Sequence, residues 1–202
     1  MKRELISFEK ISRFADAAGG VFSYAELSNI VASGSPVTNS RVIKRLVKEG
    51  VLIKIQRGIY VTKSFELTVL SSRIVPASYI SMDRALAFHG LIGTVPAGAV
   101  SAVCAGIRPK RIKTPKGDII YCSISRELFF GFERQRNGVA IANPEKAFLD
   151  TLYFYTKGKR FVIDPLKEIN IDKLNKKVLE TYLKRYKNPK FINFVKRIVY
   201  EK

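Results

Sequence analysis

Apolar residues at Leu5, Ile6, Phe8, Ile11, Phe14, Ala15 and Ala18 keep a helical spacing that predicts a helix over 5–18, stopped by Gly19-Gly20. Val21-Phe22 fits a short strand. Ser23, with Glu26 three residues on, forms a capping box ahead of a helix whose apolar face is Tyr24, Leu27, Ile30 and Val31. Ala32-Ser33-Gly34 reads as a turn. Ser35-Pro36 supplies an N-cap and a first helical position, where proline's missing N–H costs nothing. The helix that follows, Pro36–Glu49, turns Val42, Ile43, Leu46 and Val47 inward and stops at Gly50. Two β-branched runs, Val51–Ile55 and Ile59–Val61, flank Gln56-Arg57-Gly58 and predict a tight hairpin. Helix, short strand, helix, turn, helix, hairpin is the order of a winged helix-turn-helix, expected over residues 1–63.

The pattern changes beyond Val61. Phe65–Ile74 predicts a short connecting helix, and Ser78 or Ser81 is placed to cap another running from Met82 to His89. Gly90–Gly98 is rich in glycine and proline and reads as a loop. Ala99–Ala105 and Ile119–Ile124 read as strands on either side of a basic loop, Ile107–Asp118. Leu128–Phe132 and Val139–Ile141 read as further strands around an Asn137-Gly138 turn. Asn143-Pro144-Glu145 opens a helix that buries Ala147, Phe148, Leu149, Leu152 and Tyr153, and two more helices are expected near 172–186 and 189–200. The fold class is therefore α+β. An N-terminal winged helix-turn-helix is followed, over 64–202, by a mixed α/β domain with a small sheet and C-terminal helices.

Charge adds a partner to this picture. The 202 residues carry 36 Lys+Arg against 17 Asp+Glu, a formal net charge of +19. Such an excess opposes compaction by self-repulsion and points to an anionic partner, either nucleic acid or an acidic membrane. The longest apolar stretches, Val95–Val103 and Ala147–Tyr155, fall short of the roughly 20 residues that a spanning helix needs. Met1-Lys2-Arg3-Glu4 leads into a run broken by Ser7, Glu9, Lys10 and Arg13, unlike a signal peptide, so a cytoplasmic protein is expected. Cys104 and Cys122 lack metal-ligand spacing, and one histidine completes no zinc set. Buried free thiols are expected, with no metal and no cofactor.

The excess is dense where the helix-turn-helix needs it. Residues 35–61 hold six basic residues and one acidic, net +5. A helix entering the major groove presents an apolar stripe to its own domain and polar donors to the bases. Opposite the apolar stripe of Pro36–Glu49 stand Thr38, Asn39, Arg41, Lys44, Arg45 and Lys48, and Ser40 lies with Asn39 and Arg41 near the helix N-terminus, the part that usually reaches base edges. Near the helix N-terminus, Arg41 suits guanine and Asn39 suits adenine. Lys44, Lys48 and, on the hairpin, Lys54 and Arg57 suit the phosphate backbone, which supplies affinity and register rather than sequence, and Gln56 stands beside them as a further DNA-binding candidate. A solvated lysine-rich face is the plain alternative for the helix alone, but it gives no reason for basic residues on the adjoining hairpin. Five to eight such cations on phosphates imply a slope of roughly −4 to −7 for log affinity against log salt.

Further along, Tyr79-Ile80-Ser81 and Ala85-Leu86-Ala87-Phe88-His89-Gly90-Leu91 are followed by Arg111-Ile112-Lys113-Thr114-Pro115-Lys116-Gly117 and Leu128-Phe129-Phe130-Gly131-Phe132-Glu133. Ile141-Ala142-Asn143-Pro144-Glu145-Lys146-Ala147-Phe148-Leu149-Asp150 closes the run. In this order, behind a winged helix ending Arg57-Gly58-Ile59-Tyr60, the chain resembles the AbiEi family, antitoxins of type IV toxin–antitoxin (abortive infection) systems. The resemblance implies a repressor that binds double-stranded DNA at repeats in its own promoter. It implies a C-terminal domain, 64–202, that counters an AbiEii-like nucleotidyltransferase toxin without a stable complex. It also implies that the chain has no catalytic activity.

The residues themselves leave alternatives. His89 before Gly90 suits a cap or a packing role, Glu145 suits the positive end of a helix, and Asp150 suits a nearby base. Arg108, Lys110, Arg111, Lys113 and Lys116 meet no acid until Asp118, and form either a solvated hairpin or a second nucleic-acid or partner surface. A metal-dependent nuclease needs clustered carboxylates, whereas Asp118, Glu127, Glu133, Glu145 and Asp150 are scattered. A stand-alone winged-helix regulator, with a C-terminal domain that senses a ligand or oligomerises, fits the same sequence; an adjacent nucleotidyltransferase gene separates the two. A basic RNA-associated protein is a third class, marked by preference for structured RNA over duplex DNA.

Overall fold

The computed structural model describes residues 2–32, 34–93 and 98–201, and of the first helix only the side chains of Ile6 and of residues from Phe8 onward. The chain forms two compact units, Met1–Pro76 and Ala77–Lys202. The expected boundary at 63/64 lies upstream of this division. The helix Leu67–Ile74 goes with the first unit, where it buries Val69 and Leu70 and sets Val69 against Gly19.

The first unit runs α1 (Lys2–Ala15), β1 (Val21–Ser23), α2 (Tyr24–Val31), α3 (Pro36–Lys48), β2 (Ile53–Gln56), β3 (Ile59–Val61) and α4 (Leu67–Ile74). This is the winged helix-turn-helix order. Ser23 caps α2 as the sequence predicts: its hydroxyl accepts from the Glu26 N–H, and the Glu26 carboxylate accepts from the Ser23 N–H at 2.7 Å. Ser35 caps α3, with Pro36 in the first turn. The three strands form an antiparallel sheet in the order β1-β3-β2. Ile11, Phe22, Leu27, Val31, Ile43, Leu46 and Leu52 make the core beneath it.

Three expectations change here. The apolar spacing of α1 reads as an inward face, yet Ile6, Phe8 and Phe14 are about half exposed, and among the large apolar side chains of α1 that are described only Ile11 is buried. Tyr24 also stays exposed on α2. The strand expected from Val51 starts at Ile53, because the N–H groups of Val51 and Leu52 both donate to the Leu46 carbonyl and wrap the end of α3. The Ser33 part of the predicted turn lies outside the described residues.

The second unit holds β4 (Ser78–Ile80), α5 (Asp83–Phe88), β5 (Ala99–Ala105), β6 (Lys110–Thr114), β7 (Gly117–Ile124), β8 (Phe132–Arg134), β9 (Ala140–Ala142), α6 (Pro144–Thr156), α7 (Lys176–Leu183) and α8 (Pro189–Tyr200). The sheet is six-stranded, in the order β6-β7-β5-β4-β9-β8, larger than the small sheet expected. β5 pairs with β7, and β4 with β9, in parallel; the other pairs are antiparallel. Helices α5 to α8 cover one face, burying Leu86, Phe148, Leu152, Leu179, Phe191 and Val195 in a core shared with Tyr79, Val103 and Cys122.

The sequence misplaces three pieces of this unit. Ser78 lies in strand β4 rather than at a helix cap, and Ser78, Tyr79 and Ile80 are all buried, so no polar alternation marks the strand. The following helix starts at Asp83 behind Met82, which has φ +56 and no side-chain cap. The basic loop expected over 107–118 contains a strand of its own, β6, the first arm of the hairpin, which pairs with β7 from Lys110↔Tyr121 to Thr114↔Gly117. Leu128 belongs to a 3-10 turn, Arg126–Leu128, and the strand expected there begins only at Phe132.

Candidate nucleic-acid interface

The surface of α3 follows from its inward stripe. Ile43 and Leu46 are buried, and Val42 and Val47 pack half-buried beside them, which turns the remaining positions outward. At about 100° per residue, positions 37, 41, 44 and 48 fall within a roughly 60° arc. Arg41, Lys44 and Lys48 on that arc are exposed, and so is Val37, at 62%. Arg45 lies beside the arc, exposed, with its Nε donating to Glu49 Oε1 at 2.9 Å, so part of its charge is met locally. Sequence reasoning passed over Val37. Its signal is its place on the cationic stripe, one position after the Pro36 that starts the helix.

Two of the predicted readers serve the scaffold. The Asn39 amide nitrogen donates to the Ser28 carbonyl at 3.2 Å and the Ser28 hydroxyl at 2.8 Å, pinning α3 to α2. Thr38 sits 2.9 Å from the Ser35 hydroxyl and completes the N-terminal cap. Ser40 is half-buried.

The hairpin after α3 forms as expected. Gln56 pairs with Ile59, leaving Arg57-Gly58 as the two-residue tip, and Gly58 takes φ +79, a left-handed value that a Cβ would strain. Lys54, Gln56 and Arg57 are exposed, while Ile53 and Ile55, alternating with them, are half-buried. The Gly58 carbonyl accepts from the Tyr24 N–H at 2.9 Å, which ties the tip to the start of α2. Glu26, which also receives Arg73 Nη1 at 2.9 Å, extends the tie to α4. Partial burial works against its carboxylate, but the Ser23 and Arg73 bonds prevail and hold its pKa below the ordinary value.

The second basic group, Arg108, Lys110, Arg111, Lys113 and Lys116, is exposed along the edge strand β6 and its flanks. Its charge is partly met. Arg111 binds Asp118 through Nε at 2.6 Å and through a second nitrogen, and the Lys110 ammonium lies 5.1 Å from the centre of the Tyr121 ring.

Beneath the surface of this unit is a charged network that sequence reasoning reached only at Asp150. Lys146 and Asp150, one turn apart on α6, are both fully buried and paired at 2.5 Å. The second Asp150 oxygen accepts from the Tyr79 hydroxyl at 2.9 Å and the Ser81 hydroxyl at 2.8 Å, and Lys146 also donates to the Tyr186 hydroxyl at 3.3 Å. The rings of Phe130, Tyr186 and Tyr79 surround the ammonium at 4.8–5.9 Å. Burial, and then the Asp150 charge, push both tyrosine hydroxyls well above their ordinary range. A set with no solvent access joins β4, α6 and the α7–α8 connection and offers nothing to a ligand. The other singled-out residues are structural in the same sense. His89 Nε2 donates to the Ala142 carbonyl at 2.8 Å, and buried Glu145 accepts from the Asn175 N–H at 2.8 Å. Cys104 and Cys122 are buried free thiols, and burial raises the pKa of both. Among the described residues no group of His, Cys, Asp and Glu is arranged to hold a metal ion, and no helix is long and apolar enough to cross a membrane.

Residues 9–63 match the family described as "Transcriptional regulator, AbiEi antitoxin". The match spans the part of the chain that contains α2, α3 and the hairpin, and bears out the resemblance over that segment. A search of the curated proteins gave no match. Among solved structures, the chain is similar to the "Crystal structure of RV2827C protein from Mycobacterium tuberculosis", with a TM-score of 0.63 and 11% identity over 94% of this chain and 74% of that one. At that identity the likeness shows the fold, and it spans the winged helix-turn-helix and the α/β unit alike.

Proposed function

We propose that this protein is a non-enzymatic, DNA-binding transcriptional repressor and the antitoxin of a type IV toxin–antitoxin system, acting in the cytoplasm. The observation that carries the reading is the outward stripe of α3, Arg41, Lys44 and Lys48, with the basic hairpin tip at Arg57, inside the segment that matches the family. In this account α3 enters the major groove of repeats in the chain's own promoter. Arg41 pairs with guanine, and Val37 lays its methyl groups against a thymine methyl. Lys44, Lys48, Lys54 and Arg57, with Gln56 beside them, meet phosphates and set the register. Asn39 acts at one remove, by fixing the angle between α2 and α3 through Ser28.

The second unit, in the same proposal, counters a nucleotidyltransferase toxin without forming a stable complex. Its support is the run from Tyr79 to Asp150 on which the resemblance rests, parts of which meet in one core beside the buried Lys146–Asp150 pair.

Binding to the chain's own upstream DNA tests the first part. Arg41→Ala is expected to reduce discrimination between that DNA and a scrambled duplex by about 1–3 kcal/mol, while Arg57→Ala weakens binding to both alike and flattens the salt slope by about one. Two silent substitutions contradict the assignment. For the antitoxin part, full-length protein carrying Arg41→Ala is expected to relieve growth arrest by the neighbouring toxin while repression is lost; persistent arrest removes that role.

A further inference from the structure

Positive charge is spread over both units. Residues 1–76 hold 12 Lys+Arg against 6 Asp+Glu, net +6, and residues 77–202 hold 24 against 11, net +13. In the second unit, one group of these cations coincides with unfinished backbone. Strand β6 stands at the end of the sheet order and pairs with β7 alone, so among the described residues its outer side is an open edge.

The register fixes which groups face out. Thr114↔Gly117 closes the two-residue turn Pro115-Lys116, and the pairing runs unbroken back to Lys110↔Tyr121. Antiparallel pairs alternate between those that exchange both backbone bonds and those that exchange none. Asp118 is of the second kind toward β6, because its N–H donates to the Gly98 carbonyl at 2.8 Å, just ahead of β5 on the other side of β7. Its opposite residue Lys113, and Arg111 two positions back, therefore turn both N–H and C=O to the open edge. Pro109 and Pro115 bracket the strand and have no N–H to offer, so the edge is a short one.

Arg108, Lys110, Arg111 and Lys113 are exposed around these groups, while Ile112 between them is half-buried. Arg111 shares Asp118, and among the described residues no ion pair engages Arg108, Lys110 or Lys113. Three occupants can be weighed. A second copy would set like charges opposite one another across the new pairing, which is destabilising. A phosphate backbone accepts hydrogen bonds and donates none, so it answers the cations and leaves the edge carbonyls unmet. An extended acidic polypeptide answers the cations, the N–H groups and the carbonyls together.

We propose that β6 is a docking edge for a short acidic segment of another protein, which adds to the sheet as a seventh strand. Arg111 and Lys113 pair with its backbone. Lys110, Arg111 and Lys113 meet carboxylates opposite them, and Ile112 meets an apolar residue set between those acids.

The capped peptide Thr-Glu-Glu-Val-Glu-Glu-Thr, which presents this pattern in either direction, tests the proposal on the full chain. Saturable binding is expected, with slowed hydrogen exchange at the Arg111 and Lys113 amides. The same peptide N-methylated at alternate amides keeps every charge but loses backbone pairing, and is expected to bind about ten-fold more weakly. Arg108→Ala, Lys110→Ala and Lys113→Ala together are expected to weaken the parent peptide by about ten-fold, with an unchanged melting temperature. Arg41→Ala is expected to leave peptide binding intact, which separates this edge from the role proposed for α3. Lysines on an edge also guard against aggregation; an edge charged for that purpose alone binds neither peptide, and that result overturns the proposal. So do equal affinity for the two peptides, protection of amides outside β6, or loss of peptide binding in the Arg41→Ala protein.

Discussion

Val37 and Lys146 show how differently two side chains on helices of this protein earn their place. Val37 is 62% exposed beside Arg41, Lys44 and Lys48, where burial contributes nothing to the fold. In the proposed complex it contributes by meeting a thymine methyl. Replacing thymine with uracil throughout the operator duplex is therefore expected to weaken binding several-fold for the natural protein and not at all for Val37→Ala; equal sensitivity in both proteins removes Val37 from the base-reading set. Lys146 is the opposite case, a cation with no exposure at all. Removing its charge leaves Asp150 buried without its ion-pair partner, and Lys146→Met is expected to cost about 3–5 kcal/mol in urea unfolding. Lys146→Met with Asp150→Leu is expected to recover most of that loss, because a dry apolar pair needs no compensating charge. A double variant as unstable as the single one contradicts the account of the network.

At the scale of elements, the turn from β1 into α2 joins the wing to the rest of the helix-turn-helix. Glu26 is bonded to Ser23 and Arg73, and the Tyr24 N–H holds Gly58 at the tip of the hairpin. Because the folded Glu26 pKa is lowered, its contribution is present above the ordinary glutamate range and is lost as pH falls through the lowered value. Stability of the full chain is expected to drop over that acid window, and Glu26→Gln is expected to remove this part of the drop while leaving the rest. An identical acid limb in both proteins contradicts the bond pattern.

Elements of this kind were legible because each carries its own local signal. The capping box names α2, Ser35-Pro36 names the start of α3, and Gly58 names the tip of the wing. Strand β4 carries none, being three residues long and buried on every side chain. α1 misled in the other direction, since helical spacing reports amphipathicity and not what covers it; Ile6, Phe8 and Phe14 stay exposed. Asn39 was legible as a polar residue near a helix start, but its partner, Ser28, is set by the crossing of two helices. The outward stripe was readable except at Val37, where an apolar residue on an exposed arc looks like core until the helix is seen in place.

At the scale of the molecule, two units divide the charge, net +6 and net +13. In the proposed function the first unit reads sequence through a few groups on one helix and draws further affinity from phosphate contacts. Binding of the full chain to its own upstream duplex and to a scrambled one, titrated at two salt concentrations, tests the central claim most directly. The account predicts tighter binding to the upstream duplex at both, with log affinity falling against log salt at a slope steeper than about −4. Equal affinity for the two duplexes, or a slope near zero, contradicts it.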